Sequence, residues 1–152
     1  MRSSRENERS YGKKRLSIFI DANTIVSALF FDRNEALLLK LGATGACGLV
    51  TSGYVLREVD RVLRAREFRI NDDEIPRIFQ FVHRAVVVRE DVRQEDLEKC
   101  YPRLDDKKDV PVLAAFETFK CDLLVTGDKE LLTKVKGAET TKRAIERILH
   151  ES

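Results

Sequence analysis

Four acidic residues of this sequence stand at positions where a shared site could form. Asp21 directly follows a short apolar run typical of a β-strand, and Asp128 follows another such run after one intervening residue. Asp109 shares a helical face with the apolar residues three and four positions later, and Glu58 lies at the edge of an apolar helical stripe. Ligands of open α/β sheets bind beyond the carboxyl ends of the strands, so these positions predict a common acidic pocket.

Such a pocket points to a particular chemistry. Four carboxylates in one place repel one another, and a hard divalent cation relieves that repulsion. Ligation by oxygen alone favours Mg²⁺ or Mn²⁺ over zinc, and two histidines without a CxxC pair also argue against an ordinary zinc site. A cation held in this way can activate water and neutralise charge on a phosphodiester. The acids therefore indicate a divalent-metal site whose chemistry would suit a phosphodiester.

Each acid also has an ordinary structural interpretation. Asp21 could cap the following helix, and Asp109 could stabilise a helix dipole. Asp128 could belong to a Gly-Asp turn, and Glu58 could pair with a nearby arginine on a solvated face. Taken singly, these interpretations are the simpler ones. Taken together, they require all four acids to coincide in one plausible site by accident.

The elements that must position these acids alternate along the chain. Short apolar runs predict strands at residues 16–20, 48–51, 85–88 and 122–126, with a faint fifth at 137–140. Amphipathic stretches between them predict helices, including one over residues 35–41 that stops at Gly42 and one over residues 109–120. This alternation predicts an α/β fold with a parallel sheet covered on both faces.

Length and composition fit one domain with a basic extension. The chain has 152 residues, of which 43% are hydrophobic, and this suffices for a real core. Residues 1–15 carry six basic and two acidic side chains and few core formers, so we expect a disordered basic arm before a single domain over 16–152. No apolar run is long enough for a membrane helix, and we expect a cytoplasmic protein without a membrane partner.

Four blocks of the sequence resemble those of PIN-domain ribonucleases. They occur in family order as IFIDANTIVSAL (18–29), TSGYVLREVDRVL (51–63), LDDKKDVPVLAA (104–115) and LLVTGDKELL (123–132). The resemblance implies a three-layer α/β/α, flavodoxin-like fold with a central parallel sheet of about five strands. It also implies a metal-dependent endoribonuclease that uses Mg²⁺ or Mn²⁺ to cleave RNA.

The resemblance assigns roles residue by residue. Metal binding and catalysis fall to Asp21, Glu58, Asp109 and Asp128. Support falls to Asn23, Ser27 and Thr126, with Asp106 as an accessory acid in the Asp-x-x-Asp spacing of the third block. Members of this family commonly form homodimers, and many are toxins neutralised by a small antitoxin, so the resemblance also suggests these partners.

Basic residues must offset the repulsion between an acidic pocket and an RNA backbone. Candidates that flank the acid blocks are Arg57, Arg61, Lys107, Lys108 and Lys129. The alternative for each is a solvated helix face.

Other functions stay open beside the nuclease. A catalytically silent PIN-like RNA-binding or scaffold module is one alternative, although retention of all four acids favours activity. A haloacid-dehalogenase-like phosphatase also places an Asp after its first strand, but it normally carries a second Asp where this chain has Asn23. Walker and Rossmann phosphate-binding glycine motifs are absent from the sequence.

Overall fold

Five parallel β-strands form the central sheet in the part of the chain that the structure describes. The structure is a computed structural model and describes residues 15–30, 33–65 and 68–151. The strands are β1 (Ser17–Ile20), β2 (Gly48–Ser52), β3 (Val86–Arg89), β4 (Leu123–Val125) and β5 (Ala138–Glu139). They lie in the order β3-β2-β1-β4-β5, and Phe19 of β1 pairs with Val50 on one side and Leu124 on the other.

Eight α-helices flank this sheet within the same ranges. They are α1 (Ala22–Phe30), α2 (Arg33–Ala43), α3 (Gly53–Leu63), α4 (Ile75–Ala85), α5 (Gln94–Cys100), α6 (Val110–Thr118), α7 (Lys129–Lys134) and α8 (Thr141–Glu151). Helix α2 packs against α1, α4 and α8, whereas α5 packs against α6. The predicted α/β fold with a five-stranded parallel sheet is confirmed.

Two further expectations concern the basic arm and membrane-spanning helices. Residues 1–14 of the predicted basic arm lie outside the described residues. Arg15, the last residue of that arm, donates a hydrogen bond of 3.5 Å to the carbonyl of Gly45. No helix among the described residues is long and apolar enough to cross a membrane.

The order of the strands creates one crevice at the carboxyl edge of the sheet. Successive strands move from β1 to β2 and β3 on one side, and then to β4 and β5 on the other. The connections after β1 and β4 therefore leave the sheet toward opposite faces, and a crevice opens between the ends of these two strands. Asp21 follows β1 and Asp128 follows β4 by three residues, so the fold brings both acids to this crevice.

The centre of the sheet is apolar, and polar side chains at its carboxyl edge cap the helix that follows β2. Ile18, Phe19 and Ile20 are fully buried, as expected for an apolar run in the middle of a parallel sheet. The hydroxyl of Thr51 donates to the Ile20 carbonyl at 2.8 Å, which ties β2 to the end of β1. The hydroxyl of Ser52 accepts from the backbone N–H of Val55 at 3.3 Å and caps α3, the helix that carries Glu58.

Two predicted helix boundaries differ from the structure. The helix predicted to end at Gly42 continues to Ala43, so that prediction is wrong. A Cβ at Gly42 would lie 2.5 Å from Cδ1 of Leu49 and 2.7 Å from the carbonyl oxygen of Ala85, so glycine serves close packing there rather than helix termination. The helix predicted over 109–120 begins at Val110 after a 3₁₀ turn, Lys107–Asp109, because Pro111 occupies the first helical turn.

Substitution of Gly42 tests this packing. Alanine is a better helix former than glycine, so helix propensity alone predicts stabilisation of about 1 kcal/mol for Gly42→Ala. We expect the opposite, a loss of about 1–3 kcal/mol in the free energy of unfolding, because the new methyl group meets a backbone carbonyl that cannot easily move. Urea denaturation measures it, with the exposed Lys40→Ala in the same helix as a control that should change little. An increase in stability would contradict the packing argument.

Candidate functional site

Asp21 lies at the end of β1, where both of its carboxylate oxygens accept hydrogen bonds. Oδ1 accepts from the backbone N–H and the hydroxyl of Thr24, at 2.9 and 2.7 Å. Oδ2 accepts from the hydroxyl of Thr126 at 2.6 Å. The first contact is the helix-capping role that the simpler interpretation foresaw. The second joins Asp21 to the end of β4, so the carboxylate is held from two sides.

Asp128 is tied to the same threonine. Its backbone N–H donates to the Thr126 hydroxyl at 3.0 Å, while its Oδ1 accepts from the backbone N–H of Leu131 at 2.9 Å and caps α7. Thr126 therefore accepts from Asp128 and donates to Asp21, which fixes the spacing between two of the four predicted acids. One carboxylate oxygen of Asp128 serves the helix.

Asp109 differs from these two acids because the chain leaves part of its carboxylate unsatisfied. Its Oδ2 is buried and has no hydrogen-bond partner among the described residues. Burial is the largest cause and the neighbouring carboxylates, Asp128 foremost, act in the same direction, so that together they raise the pKa of Asp109 to about 7. A buried oxygen without a donor is costly, and it indicates a position that a bound group would satisfy.

Glu58 is partly exposed, with 38% of its side chain accessible, and is already paired. Arg61, one turn later in α3, donates to its carboxylate at 3.0 Å. This hydrogen bond holds the pKa of Glu58 below its ordinary value, and the charge of Lys108 contributes in the same direction. Glu58 is therefore an ionised carboxylate, and the positive charge of Arg61 partly offsets its negative charge.

One cleft of about 250 Å³ gathers the four predicted acids. Its other polar lining residues are Asn23, Tyr54, Arg61, Asp106 and Lys108. Two residues predicted to support the site do not line it. Ser27 is half-buried one turn beyond Asn23 on α1, and Thr126 is buried and contacts the site through Asp21.

The predicted RNA-binding residues divide into two groups. Arg61 and Lys108 line the acidic cleft. Arg57 instead pairs with an aspartate in a neighbouring cleft. The ammonium of Lys107 donates to two backbone carbonyls of its own loop, at 2.6 and 2.7 Å, and Lys129 is exposed outside the cleft lining. The structure thus brings two of the five basic side chains to the acids.

Sequence reasoning missed Glu130, which holds the loop that carries Asp106. Its carboxylate accepts from the backbone N–H groups of Asp105 and Asp106, at 2.6 and 3.1 Å, and from Lys134 at 2.6 Å. These contacts lower the pKa of Glu130 to about 2. No local pattern signals this role, because the loop lies more than twenty residues earlier in the chain. Thr24, by contrast, has the Asp-x-x-Thr spacing of a helix cap and could have been found.

The residues present fit a divalent cation in chemistry, although their side chains do not form a finished site. No three Asp, Glu, His or Cys side chains within residues 15–30, 33–65 and 68–151 are grouped closely enough to hold a metal as they stand. The donor set of the cleft is nevertheless all oxygen, which suits Mg²⁺ or Mn²⁺. The Oδ2 atom of Asp109 accepts no hydrogen bond from the described residues, so this oxygen is available as a metal ligand.

The raised pKa of Asp109 leads to a stability prediction for the metal-free protein. We expect Asp109→Asn to raise the free energy of unfolding by about 1–2 kcal/mol at pH 8, because the amide carries no charge into the cleft. The pKa of Asp109 is about 7 in the folded protein against an ordinary 3.8, so the parent loses stability as the pH rises between these values, and the variant does not. Urea denaturation in the presence of chelator at pH 5 and pH 8 measures both effects.

Asp105→Asn is the matched control, since this neighbouring aspartate is 95% exposed. It should alter stability little at either pH. A destabilised Asp109→Asn protein at pH 8 would show that Asp109 serves the fold.

Comparison with known proteins bears on the fold and on the family of this chain. The crystal structure of PAE2754 from Pyrobaculum aerophilum is similar to this chain, with a TM-score of 0.65 and 20% sequence identity over 89% of this chain and 96% of that one. At that identity, the likeness shows the fold alone. No curated protein matches the sequence. A family model described as PIN domain matches residues 17–130, which include all four predicted acids. The chain therefore belongs to the PIN-domain family, whose members are generally nucleases.

Proposed function

We propose that the protein is a metal-dependent endoribonuclease that hydrolyses RNA phosphodiester bonds in the acidic cleft. The observation that carries the proposal is Asp109, whose buried Oδ2 has no donor among the described residues and which shares the cleft with Asp21, Glu58 and Asp128. The cleft lies at the carboxyl edge of the sheet, where α/β proteins bind ligands. Family membership supports the same reaction class, since PIN-domain nucleases act on RNA and typically use divalent metals.

In this proposal the four acids hold Mg²⁺ or Mn²⁺. The acids differ in how firmly the fold orients them and in how readily they ionise. The hydrogen bonds from Thr24 and Thr126 fix the orientation of Asp21 before a cation binds. Asp109 must lose its proton, and the opposing charge of a cation favours that loss. A bound divalent cation would polarise a phosphoryl oxygen and lower the pKa of a coordinated water molecule.

Two cations of the chain let a polyanion approach these acids. Arg61 and Lys108 line the cleft beside Glu58, and both reduce the negative potential that a phosphodiester would meet. The guanidinium of Arg61 already engages Glu58 at 3.0 Å, and its side chain is 70% exposed. It therefore has room to contact a phosphate while it remains near the carboxylate.

The finer parts of the proposal stay predictions. A homodimer and a small antitoxin partner follow from the family resemblance, and a cytoplasmic location follows from the sequence. A catalytically silent RNA-binding module is the second candidate, and the same experiment separates it from the nuclease.

Cleavage of total RNA tests the proposed reaction. We expect the purified protein to cut RNA at discrete sites with Mn²⁺ or Mg²⁺ and to stop in the presence of chelator. Asp109→Asn should lower the rate by at least about 100-fold, because it removes a carboxylate ligand. Asp105→Asn should retain the rate, because Asp105 lies outside the cleft lining.

Thermal unfolding supplies a readout that does not depend on activity. Mn²⁺ should raise the Tm of the parent and of Asp105→Asn, but raise that of Asp109→Asn much less. Equal cleavage by the parent and Asp109→Asn would indicate a contaminating nuclease. A folded parent that binds RNA but cuts none, with or without metal, would favour the silent binding module.

A further inference from the structure

A second cleft adjoins the acidic one. We call it the side cleft; its volume is about 230 Å³, and Tyr54 lines both clefts. Its apolar wall consists of Val92, Leu97, Pro111 and Ala115. None of the four predicted acids lines it, so the proposed cleavage reaction does not account for it.

The rim of the side cleft carries fixed hydrogen-bonding groups. The carboxylate of Asp91 accepts from the backbone N–H of Tyr54 at 2.7 Å and from the guanidinium of Arg57 at 2.6 Å. A Cβ at Gly53 would lie 3.1 Å from Arg57 and 3.2 Å from Asp91, so the absence of a side chain lets this pair lie close to the start of α3. The rim therefore presents guanidinium donors and carboxylate lone pairs at the edge of an apolar slot.

The side cleft opens on the same edge of the sheet as the acids. Ser52, which lines it, is the last residue of β2, and Asp91 follows the end of β3 by two residues. Because the strands are parallel, their carboxyl ends lie along one edge. An extended ligand whose phosphate occupies the acidic cleft can therefore continue past Tyr54 into the side cleft.

We propose that the side cleft binds one unstacked nucleobase of single-stranded RNA, next to the phosphodiester that is cut. Proteins hold such bases on aromatic side chains or guanidinium planes and hydrogen-bond their edges, and Tyr54, Arg57 and Asp91 supply these groups. The volume of about 230 Å³ is below that of sites for drug-sized ligands and suits a single ring system. Continuity with the acidic cleft favours a part of the same ligand over a separate protein partner. The inference rests on the proposed ribonuclease function and adds a base-binding subsite to it.

Removal of single bases from the RNA tests the slot. A short oligomer that the parent cuts at one position is prepared with an abasic ribose at each nucleotide in turn. We expect one abasic position beside the cut to lower kcat/KM by about 10-fold or more, because one base–protein stacking contact is lost. Replacement at distant positions should have little effect. Equal sensitivity at every position would overturn the proposal.

Filling the slot should remove that sensitivity. Val92→Phe and Leu97→Phe each place a ring in the side cleft, so both should lower kcat/KM on intact RNA and respond little to the abasic position. Val87→Phe is the matched control on β3, because Val87 is 62% exposed and does not line the cleft. Circular dichroism identifies a variant that does not fold, and the other then carries the comparison. Unchanged abasic sensitivity in a folded, filled variant would overturn the slot and leave the nuclease standing.

Photocrosslinking keeps this test separate from the cleavage reaction. Single-stranded RNA that contains iodouridine is irradiated with metal-free Asp109→Asn protein, and the crosslinked peptides are identified by mass spectrometry. Crosslinks to Tyr54 or Val92 that disappear when Leu97→Phe is added support the slot, even if the parent cuts no RNA. Crosslinks confined to other surfaces overturn it, and an absence of both crosslinks and cleavage overturns both proposals.

Discussion

The hydrogen bond from Thr126 to Asp21 joins the two strands between which the crevice of the sheet opens. At 2.6 Å it connects the end of β4 to the end of β1, although the two residues are 105 positions apart in the chain. The same hydroxyl accepts from the backbone of Asp128, so one small side chain sets the relative positions of two acids. The cleft on which both proposals depend is organised around this contact.

Most of the acidic side chains in and near the cleft have partners within the fold that offset their negative charge. The carboxylate oxygens of Asp21 and Asp128 accept hydrogen bonds from backbone N–H and hydroxyl groups, and Glu58 forms an ion pair with Arg61. Glu130 lies outside the cleft lining and draws the loop of Asp106 toward α7 through two backbone N–H groups. Only Asp109 among the four predicted acids keeps a buried oxygen without a donor in the described chain.

Local patterns in the sequence predict the parts of the structure that local forces decide. The apolar runs mark the strands, and the acids that follow or flank them do share one cleft. Gly42 resembles a helix stop in the sequence, but its role depends on Leu49 and Ala85, which the helix meets only after folding. Lys107 and Arg57 look equivalent to Lys108 in sequence, but backbone carbonyls and Asp91 engage them in the structure. The contact from Tyr54 to the Lys108 carbonyl, across 54 positions, has no local signature either.

The acids differ in how many hydrogen bonds they form within the fold, and this difference has a consequence for which of them would be lost under relaxed selection. Loss of Asp21 removes acceptors for Thr24 and Thr126, and loss of Asp128 removes the cap of α7, so both changes burden folding. Loss of Asp109 removes no hydrogen bond formed by its buried oxygen. In a lineage that no longer needed the proposed reaction, neutral drift would therefore remove Asp109 more readily than Asp21 or Asp128 and leave a folded descendant without the proposed activity.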